Sequence, residues 1–484
     1  MTTPGWIITL LFLADLGLRV GLSVRVIMRR RPVGVSLAWL FVILLFPFAG
    51  AFIYLLLGEL RLGKQRSNRL RALQAPYDRW RTELQDAFKV NWTQHGESSE
   101  SLAQLATNAA GLPALPGNSL ELIGDWESSL RRLITDIDAA RSTCHMEFYI
   151  WHPGGLADEV ADALVRASQR GVVCRVLVDA IGSKPFLSGP VARKLEEAGV
   201  QVESALPGGI FHTLVLRFDL RMHRKIVVID GEIAYTGSLN LVDPRFFKQD
   251  SNVGQWVDAM VRLQGPAVEL MAITFLLDWE LERNESIDAL RETADVRRLH
   301  ELGDSIVQVV PTGPTIEGDA IQILLMTIYA ARRELIVTTP YFVPDEAVLT
   351  ALISAARRGV ATTLIVPTRI DSLLVRLAGQ AHIGQLLDAG VKVMLFDGGL
   401  LHTKSVTVDG ECCLFGSLNL DPRSIYLNFE ITLAVYDRHF TNELRALQQS
   451  YLAKSSAMKL SDWTSRSRPR QFVDNVARLM SPLL

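Results

Sequence analysis

The chain has 484 residues, room for two or three domains with full cores. Its formal charge is -2, so nothing global marks it as a nucleic-acid binder, while 49% apolar residues and a mean hydropathy of +0.19 point to membrane segments. The cysteines Cys144, Cys174, Cys412 and Cys413 have neither CxxC nor zinc-site spacing, and are expected as core thiols that need no disulfide.

Residues 7–28 are apolar apart from Asp15, Arg19 and Arg25. Asp15 and Arg19 are four apart, so they can pair on one helix face and offset part of their cost in hydrocarbon. Residues 33–57 carry no charge, and about 25 residues suffice to span a bilayer with some tilt. Pro47 is expected to kink that second helix. Residues 1–60 thus read as a transmembrane helical hairpin, both ends leaving on one side; a first helix lying in the interface is the alternative. A start without basic residues, followed at once by a second span, is unlike a cleaved signal.

The turn of the hairpin carries Arg29, Arg30, Arg31 and Pro32, and its exit carries Arg61, Lys64, Arg66, Arg69 and Arg71. Two competing basic segments leave the side of the membrane open; we lean towards a cytoplasmic catalytic domain. The exit suits anionic headgroups, at about 1 kcal/mol per cation near the surface, or a solvated charged helix.

Residues 61–117 read as a polar, partly helical connector that ends in "GLPALPG". Beyond it, strand-like runs alternate with amphipathic helical stretches. "HMEFYIW" (145–151), "LADEVADALVRASQRGV" (156–172) and "CRVLVDAIGS" (174–183) read strand, helix, strand. "LIVTTPYFVPD" (335–345), "EAVLTALISAARRGV" (346–360) and "TTLIVPTRIDS" (362–372) repeat that order, with a period of about 180 residues, too long for a solenoid. The expectation is an α/β protein with two similar halves, 118–298 and 299–484, packed about a pseudo-two-fold axis.

Each half then reaches one motif: "HRKIVVIDGEIAYTGSLNL" (223–241) and "HTKSVTVDGECCLFGSLNL" (402–420). Alternation along a strand puts His223 with Lys225, and His402 with Lys404, on one face. Asp230 and Asp409 close their strands at Gly-containing turns. Ser238 and Asn240, like Ser417 and Asn419, repeat the same spacing. Two such motifs facing one cleft would offer imidazoles, ammoniums, hydroxyls and carboxamides, and all but the imidazoles suit phosphate oxygens.

Two facing histidines can divide the work of phosphodiester exchange. One attacks phosphorus and forms a phospho-histidine, while the other protonates the leaving alkoxide and then deprotonates the incoming hydroxyl. The lysines would stabilise charge on the non-bridging oxygens, so this chemistry requires no metal or other cofactor. Each imidazole needs a partner on its other nitrogen, and Asp258 and Glu430 are the candidate orienters; surface or capping roles are the alternative. Duplicated packing without chemistry is the bland reading of the repeat. His145, His152 and His212 lack the motif and are expected to be structural.

The paired His-x-Lys-x4-Asp motifs resemble the signature of the phospholipase D superfamily. "FYIWHPGGLADEV", "YTGSLNLVDPRFFKQD", "TTPYFVPD", "LLHTKSVTVDGE" and "GSLNLDPRSIYLNFEITLAVYD" are similar to the bacterial cardiolipin synthases of the two-transmembrane type. The likeness covers nearly the whole chain, including the closing Ser-Pro-Leu-Leu, and is less clear over 185–221. It implies a transfer in which two phosphatidylglycerols give cardiolipin and glycerol at a bacterial cell membrane, with His223 as nucleophile and His402 as acid and base. The symmetric motifs alone do not choose between the two. It implies no nucleic-acid partner and leaves the oligomeric state open. A lipid hydrolase with the same intermediate, and a membrane-tethered lipid-binding scaffold without catalysis, are the rival readings.

Overall fold

The computed structural model describes residues 5–29, 33–59, 64–95, 97–206, 219–283, 285, 290, 293, 295–314 and 319–479. The basic turn residues 30–32, Arg61, His212 and the closing 481–484 lie outside them. The described residues up to Asn68, with Asp219 and Leu220, form one compact unit, and the rest form another.

In the first unit, α1 (Gly5–Met28) has 24 residues and is long and apolar enough to cross a membrane. The second apolar stretch differs from the expected unbroken span. It forms α2 (Val33–Leu45) and α3 (Ala49–Leu57), separated at Phe46–Phe48. Pro47 has no N–H to continue the helical ladder, and Phe48 takes φ 51°, outside the helical region. The two helices fold back on each other. Gly50 is so close to the Val42 carbonyl that a Cβ would sit 2.1 Å from it, and the Trp39 and Tyr54 rings meet at 5.3 Å.

Two of the three charged residues of α1 tie off the backbone groups freed by this break. Asp15 and Arg19 pair at 2.5 Å, Asp15 accepts from the Phe48 N–H at 2.9 Å, and Arg19 donates to the Leu44 carbonyl at 2.8 Å. In hydrocarbon such groups have no water to turn to, so the pair supports the backbone as well as itself. The α2–α3 turn therefore sits at the middle of α1. The chain then returns to the end of α1 that α2 left, where buried Glu59 is held by Arg25, by Arg29 at 3.5 Å and by the Tyr54 hydroxyl at 3.2 Å. Glu59 thus lies at the C-terminal end of α1, at the opposite end of this unit from Gly5, which differs from the expected hairpin with both ends together.

The second unit is built on one 15-stranded sheet. Its first half supplies β1 (Ala114–Ile123), β2 (Thr143–Phe148), β3 (Val173–Asp179), β4 (Gln201–Ala205), β5 (Ile226–Ile229), β6 (Ile233–Gly237) and β8 (Met260–Gln264). The second supplies β9 (Ser305–Thr312), β10 (Glu334–Thr338), β11 (Ala361–Pro367), β12 (Lys392–Phe396), β14 (Ser405–Val408), β15 (Cys412–Gly416), β16 (Glu430–Val435) and β17 (Ser455–Ala457). From the centre outward the order is β1-β8-β6-β5-β2-β3-β4 on one side and β9-β16-β15-β14-β10-β11-β12-β17 on the other. The same series running both ways from an antiparallel β1–β9 seam is what a pseudo-two-fold axis produces.

The strand, helix, strand readings hold within a few residues of their expected limits, except that the strand expected over 335–345 ends at Thr338 and 339–345 is loop with one isolated bridge at Phe342. In each half a parallel strand pair is joined by an amphipathic helix, Leu156–Gln169 or Glu346–Arg357. Each helix buries one face and is followed closely by a glycine at positive φ, Gly171 or Gly359. The stretch before residue 118 is more than a connector. β1 already starts at Ala114, and Leu102, Ala103 and Ala106 are buried in the second half's core. All four cysteines are buried free thiols.

Short cross-strands join the halves a second time. β7 (Trp256–Val257) pairs in parallel with β13 (Leu400–Leu401), and Met222 bridges to Phe429 in the same sense. Beside the second bridge, Arg224 is buried. It forms an ion pair with Asp278, donates to the Glu430 carbonyl at 3.0 Å and to the Thr312 carbonyl at 3.2 Å, and lies over the Phe429 ring. Arg224→Met leaves the Asp278 carboxylate buried without its ion-pair partner. We expect a loss of about 3–5 kcal/mol of stability, measured by denaturant unfolding of the purified protein.

Candidate active site

The cross-strands decide what each histidine touches. The His223 N–H donates to the Phe429 carbonyl at 2.9 Å, and the His402 N–H donates to the Val257 carbonyl at 2.8 Å. Each motif is thereby drawn alongside the carboxylate of the opposite half. His223 Nδ1 lies 2.7 Å from Glu430 Oε2, 207 residues further along the chain. His402 Nδ1 lies 2.7 Å from Asp258 Oδ1, 144 residues earlier. With Nδ1–H donated to a carboxylate, the lone pair falls on Nε2, and neither Nε2 has a hydrogen bond among the described residues.

The serines support these carboxylates, which corrects the expectation that they grip phosphate. Ser417 Oγ donates to Glu430 Oε2 at 2.5 Å and accepts the Ile431 N–H; Ser238 Oγ donates to Asp258 Oδ1 at 2.6 Å and accepts the Ala259 N–H. Each hydroxyl is thus engaged before any ligand arrives. Asn240 Oδ1 accepts from the Ile150 N–H at 3.3 Å, and its Nδ2 is buried without a partner among the described residues. Asn419 is buried with its Oδ1 unpaired. Lys225 and Lys404 are buried, and each Nζ donates to the carbonyl of its own motif histidine, at 2.7 Å and 2.6 Å.

Asp230 and Asp409 do not join this cluster. Each sits at the far end of its motif strand, seven residues from its histidine and roughly 20 Å away if the chain is extended. The Asp230 carboxylate accepts from the N–H groups of Arg141, Ser142 and Thr143; that of Asp409 accepts from Arg332, Arg333 and Glu334. Both adopt φ 54°. They fasten the turn entering β2 or β10 to the motif strand, so their place in the motif is architectural.

The surroundings of the two histidines differ. His223 lies 4.9 Å from the Tyr149 ring, and Lys225 Nζ lies over the same ring; His402 lies 4.3 Å from the Trp256 ring. Asn428 donates to Glu430 Oε1 at 3.1 Å, whereas Asp258 Oδ2 is buried without a partner among the described residues. Trp256 and Asn428 occupy the same place, two residues before each carboxylate, a signal available in "QWVD" and "LNFE" but unused. Asp179 was also missed; its carboxylate accepts from the Met222 N–H at 3.0 Å and anchors the entry to the first motif. His145 is stacked on Phe275 in the core, and His152 packs edge-on against Phe247.

Burial holds both imidazoles down, to about 4; the neighbouring carboxylates pull upward and the lysines push further down. Burial also lowers Lys225 to about 8 and Lys404 well below the usual lysine range. Glu430 and Asp258 stay below their ordinary values: burial raises them, but His223 and His402 with the lysines outweigh it. Both imidazoles are therefore neutral at pH 7 in the free protein. An unfolded chain binds their protons at about pH 6.5, the folded one only near 4. The stability that this contributes is complete above 6.5 and is lost as pH falls through that window. We expect Tm to drop across it, and His223→Asn with His402→Asn to flatten the slope, by thermal unfolding at pH 4 to 7.

The family description "Cardiolipin synthase, PLD-like domain" matches residues 133–264 and 324–451, and "Phospholipase_D-nuclease N-terminal" matches 17–59. Cardiolipin synthase A of Yersinia pestis and that of Yersinia pseudotuberculosis are each 43% identical over 465 residues, 96% of this chain and 96% of theirs. The chain belongs to the cardiolipin synthase family. Its paired domains are phospholipase D-like, and the family is one of phosphatidyltransferases associated with the membrane. The structure is similar in fold to phosphatidylserine synthase from Haemophilus influenzae, with TM-score 0.60 and 15% identity over 79% of this chain and 99% of that one.

Proposed function

We propose that this family member transfers a phosphatidyl group from one phosphatidylglycerol to the terminal hydroxyl of another, giving cardiolipin and glycerol. The observation that carries the reading is the pair of crossed His–carboxylate hydrogen bonds, His223–Glu430 and His402–Asp258, gathered with both lysines. His223 Nε2 attacks phosphorus, the P–O bond to glycerol breaks, and His402 gives its proton to the glycerol oxygen. The second lipid's hydroxyl then passes its proton to His402 as its oxygen attacks phosphorus and the P–N bond breaks. The exchanged bonds are alike, so no nucleotide is needed.

The asymmetry of the carboxylates supports this division. Glu430 has its charge spread over His223, Ser417 and Asn428, while Asp258 keeps one oxygen unpartnered. Asp258 is thus the carboxylate freer to stabilise an imidazolium, which suits His402 as acid and base. A neutral His402 gains its proton when the phosphodiester anion enters, because a nearby negative charge raises an imidazole pKa. Lys225, Lys404 and the unpaired Asn240 Nδ2 are the groups proposed to hold the phosphoryl oxygens.

For the membrane, we propose that α1 crosses and that α2–α3 is re-entrant. Arg29 and Glu59, the described residues next to the basic turn and the basic exit, pair at 3.5 Å, which supports reading the two basic segments together, and with the positive-inside rule we propose a cytoplasmic catalytic domain. Reporter fusions at the N-terminus and after Glu59 should report opposite sides; the same side would restore the plain hairpin. For the reaction, the purified full chain in phosphatidylglycerol vesicles should form cardiolipin and glycerol in equal amounts. Phosphatidic acid as the main product would identify a hydrolase instead, and no turnover would leave the scaffold.

A further inference from the structure

The C-terminal helix, Arg468–Leu479, is turned inside out for a soluble surface. Its buried positions are Asp474 and Ala477. Asp474, its sole acid, pairs with Arg466 at 2.6 Å, and Arg466 in turn lies over the Trp463 ring. Ala477 packs with Ala378 of the neighbouring helix Leu373–Asp388. On the opposite arc Phe472 is 69% exposed, Val476 46% and Leu479 73%. At 100° per residue these three fall within about 60° of one another and point directly away from the buried pair. Arg468, exposed, borders the apolar arc, and Arg478, also exposed, lies on the flank of the helix between that border and Asp474.

The patch continues towards the site. The Trp463 ring meets Gly384 and Ala477 packs with Ala378, so the C-terminal segment advances towards the N-terminal end of the helix Leu373–Asp388, where Leu373 and Leu374 are 61% and 39% exposed. Two residues before them Asp371 accepts from Lys248 and from the Tyr341 hydroxyl, both at 2.7 Å. Lys248 Nζ lies over the ring of Trp256, which packs on His402. A chain of contacts thus leads from the segment just before Leu373, through Asp371, Lys248 and Trp256, to His402.

We propose that this surface, Phe472, Val476 and Leu479 with Leu373 and Leu374, docks on an anionic lipid bilayer. The apolar arc enters the headgroup–acyl boundary while Arg468 and Arg478 meet lipid phosphates, as on interfacial helices with basic borders. A bilayer satisfies both features at once, since the exposed positions of this helix carry cations and no acid to pair a second copy of itself. The inference rests on the lipid-substrate reading only for the choice of headgroup.

The test uses the full chain, with a polarity-sensitive fluorophore on Val476→Cys and a control on Thr135→Cys, which is exposed elsewhere. In vesicles containing phosphatidylglycerol, the Val476 probe should shift to the blue, lose quenching by iodide and be quenched by brominated acyl chains, while the control stays in water. Continued access of iodide in those vesicles overturns the proposal. So does burial in detergent that depends on protein concentration, which would assign the surface to a second copy. Phe472→Ser with Leu479→Ser should lower turnover roughly tenfold on vesicles and leave it unchanged on phosphatidylglycerol in mixed micelles. Equal loss on both would mark a structural role and overturn docking. Probe burial is read without turnover, so this proposal and the proposed reaction can fail separately.

Discussion

His223→Asn should form no covalent phosphatidyl adduct with radiolabelled phosphatidylglycerol, whereas His402→Asn should accumulate one. Both should lose steady-state turnover, by at least about 10⁴-fold for His223 and 10²–10⁴-fold for His402. The reasoning starts from burial. In the free protein both rings are neutral, so either could attack. They differ in the carboxylate behind them, fully hydrogen-bonded Glu430 or partly unpartnered Asp258. Without His402 the first step loses its acid but keeps its nucleophile, and the second loses its base, so the adduct builds up. The measurement is acid-stopped labelling resolved on a gel. Adduct in His223→Asn and none in His402→Asn would exchange the two roles.

Glu430→Gln should behave like a lesion of the first motif, although Glu430 follows the second; Asp258→Asn should behave like a lesion of the second, although it follows the first. Replacing either carboxylate keeps the shape but removes the charge that fixes and polarises its imidazole, and a loss of about 10²–10⁴-fold in turnover is expected. The distinguishing readout is the adduct. Asp258→Asn should accumulate it, as His402→Asn does, and Glu430→Gln should show little. If each variant matched its own half instead, the crossed hydrogen bonds would not operate in catalysis.

Much of this protein was legible before folding. The 3.6-residue and two-residue apolar periods placed the helix and strands of each half, because those patterns answer to local geometry. The repeat exposed the two-fold arrangement, and the His-Lys spacing marked the cluster. Asp15 with Arg19 was legible as a pair because both lie on one helix. The backbone groups that the pair ties off belong to a break 25 and 33 residues away, and no periodicity reports such contacts.

The amino-acid pattern by itself determined which side chains could do the chemistry and that each would appear twice. Only the tertiary structure decided who serves whom. It gave Glu430 to His223 and Asp258 to His402, turned the serines onto carboxylates, and left Asp230 and Asp409 at the far ends of their strands. The physical reason is that a hydrogen-bond partner 207 residues distant is set by sheet pairing. The β1–β9 seam and the two parallel cross-strands bring each motif beside the other half, and similar local sequence on both sides of a symmetry axis holds no record of which copy is the neighbour.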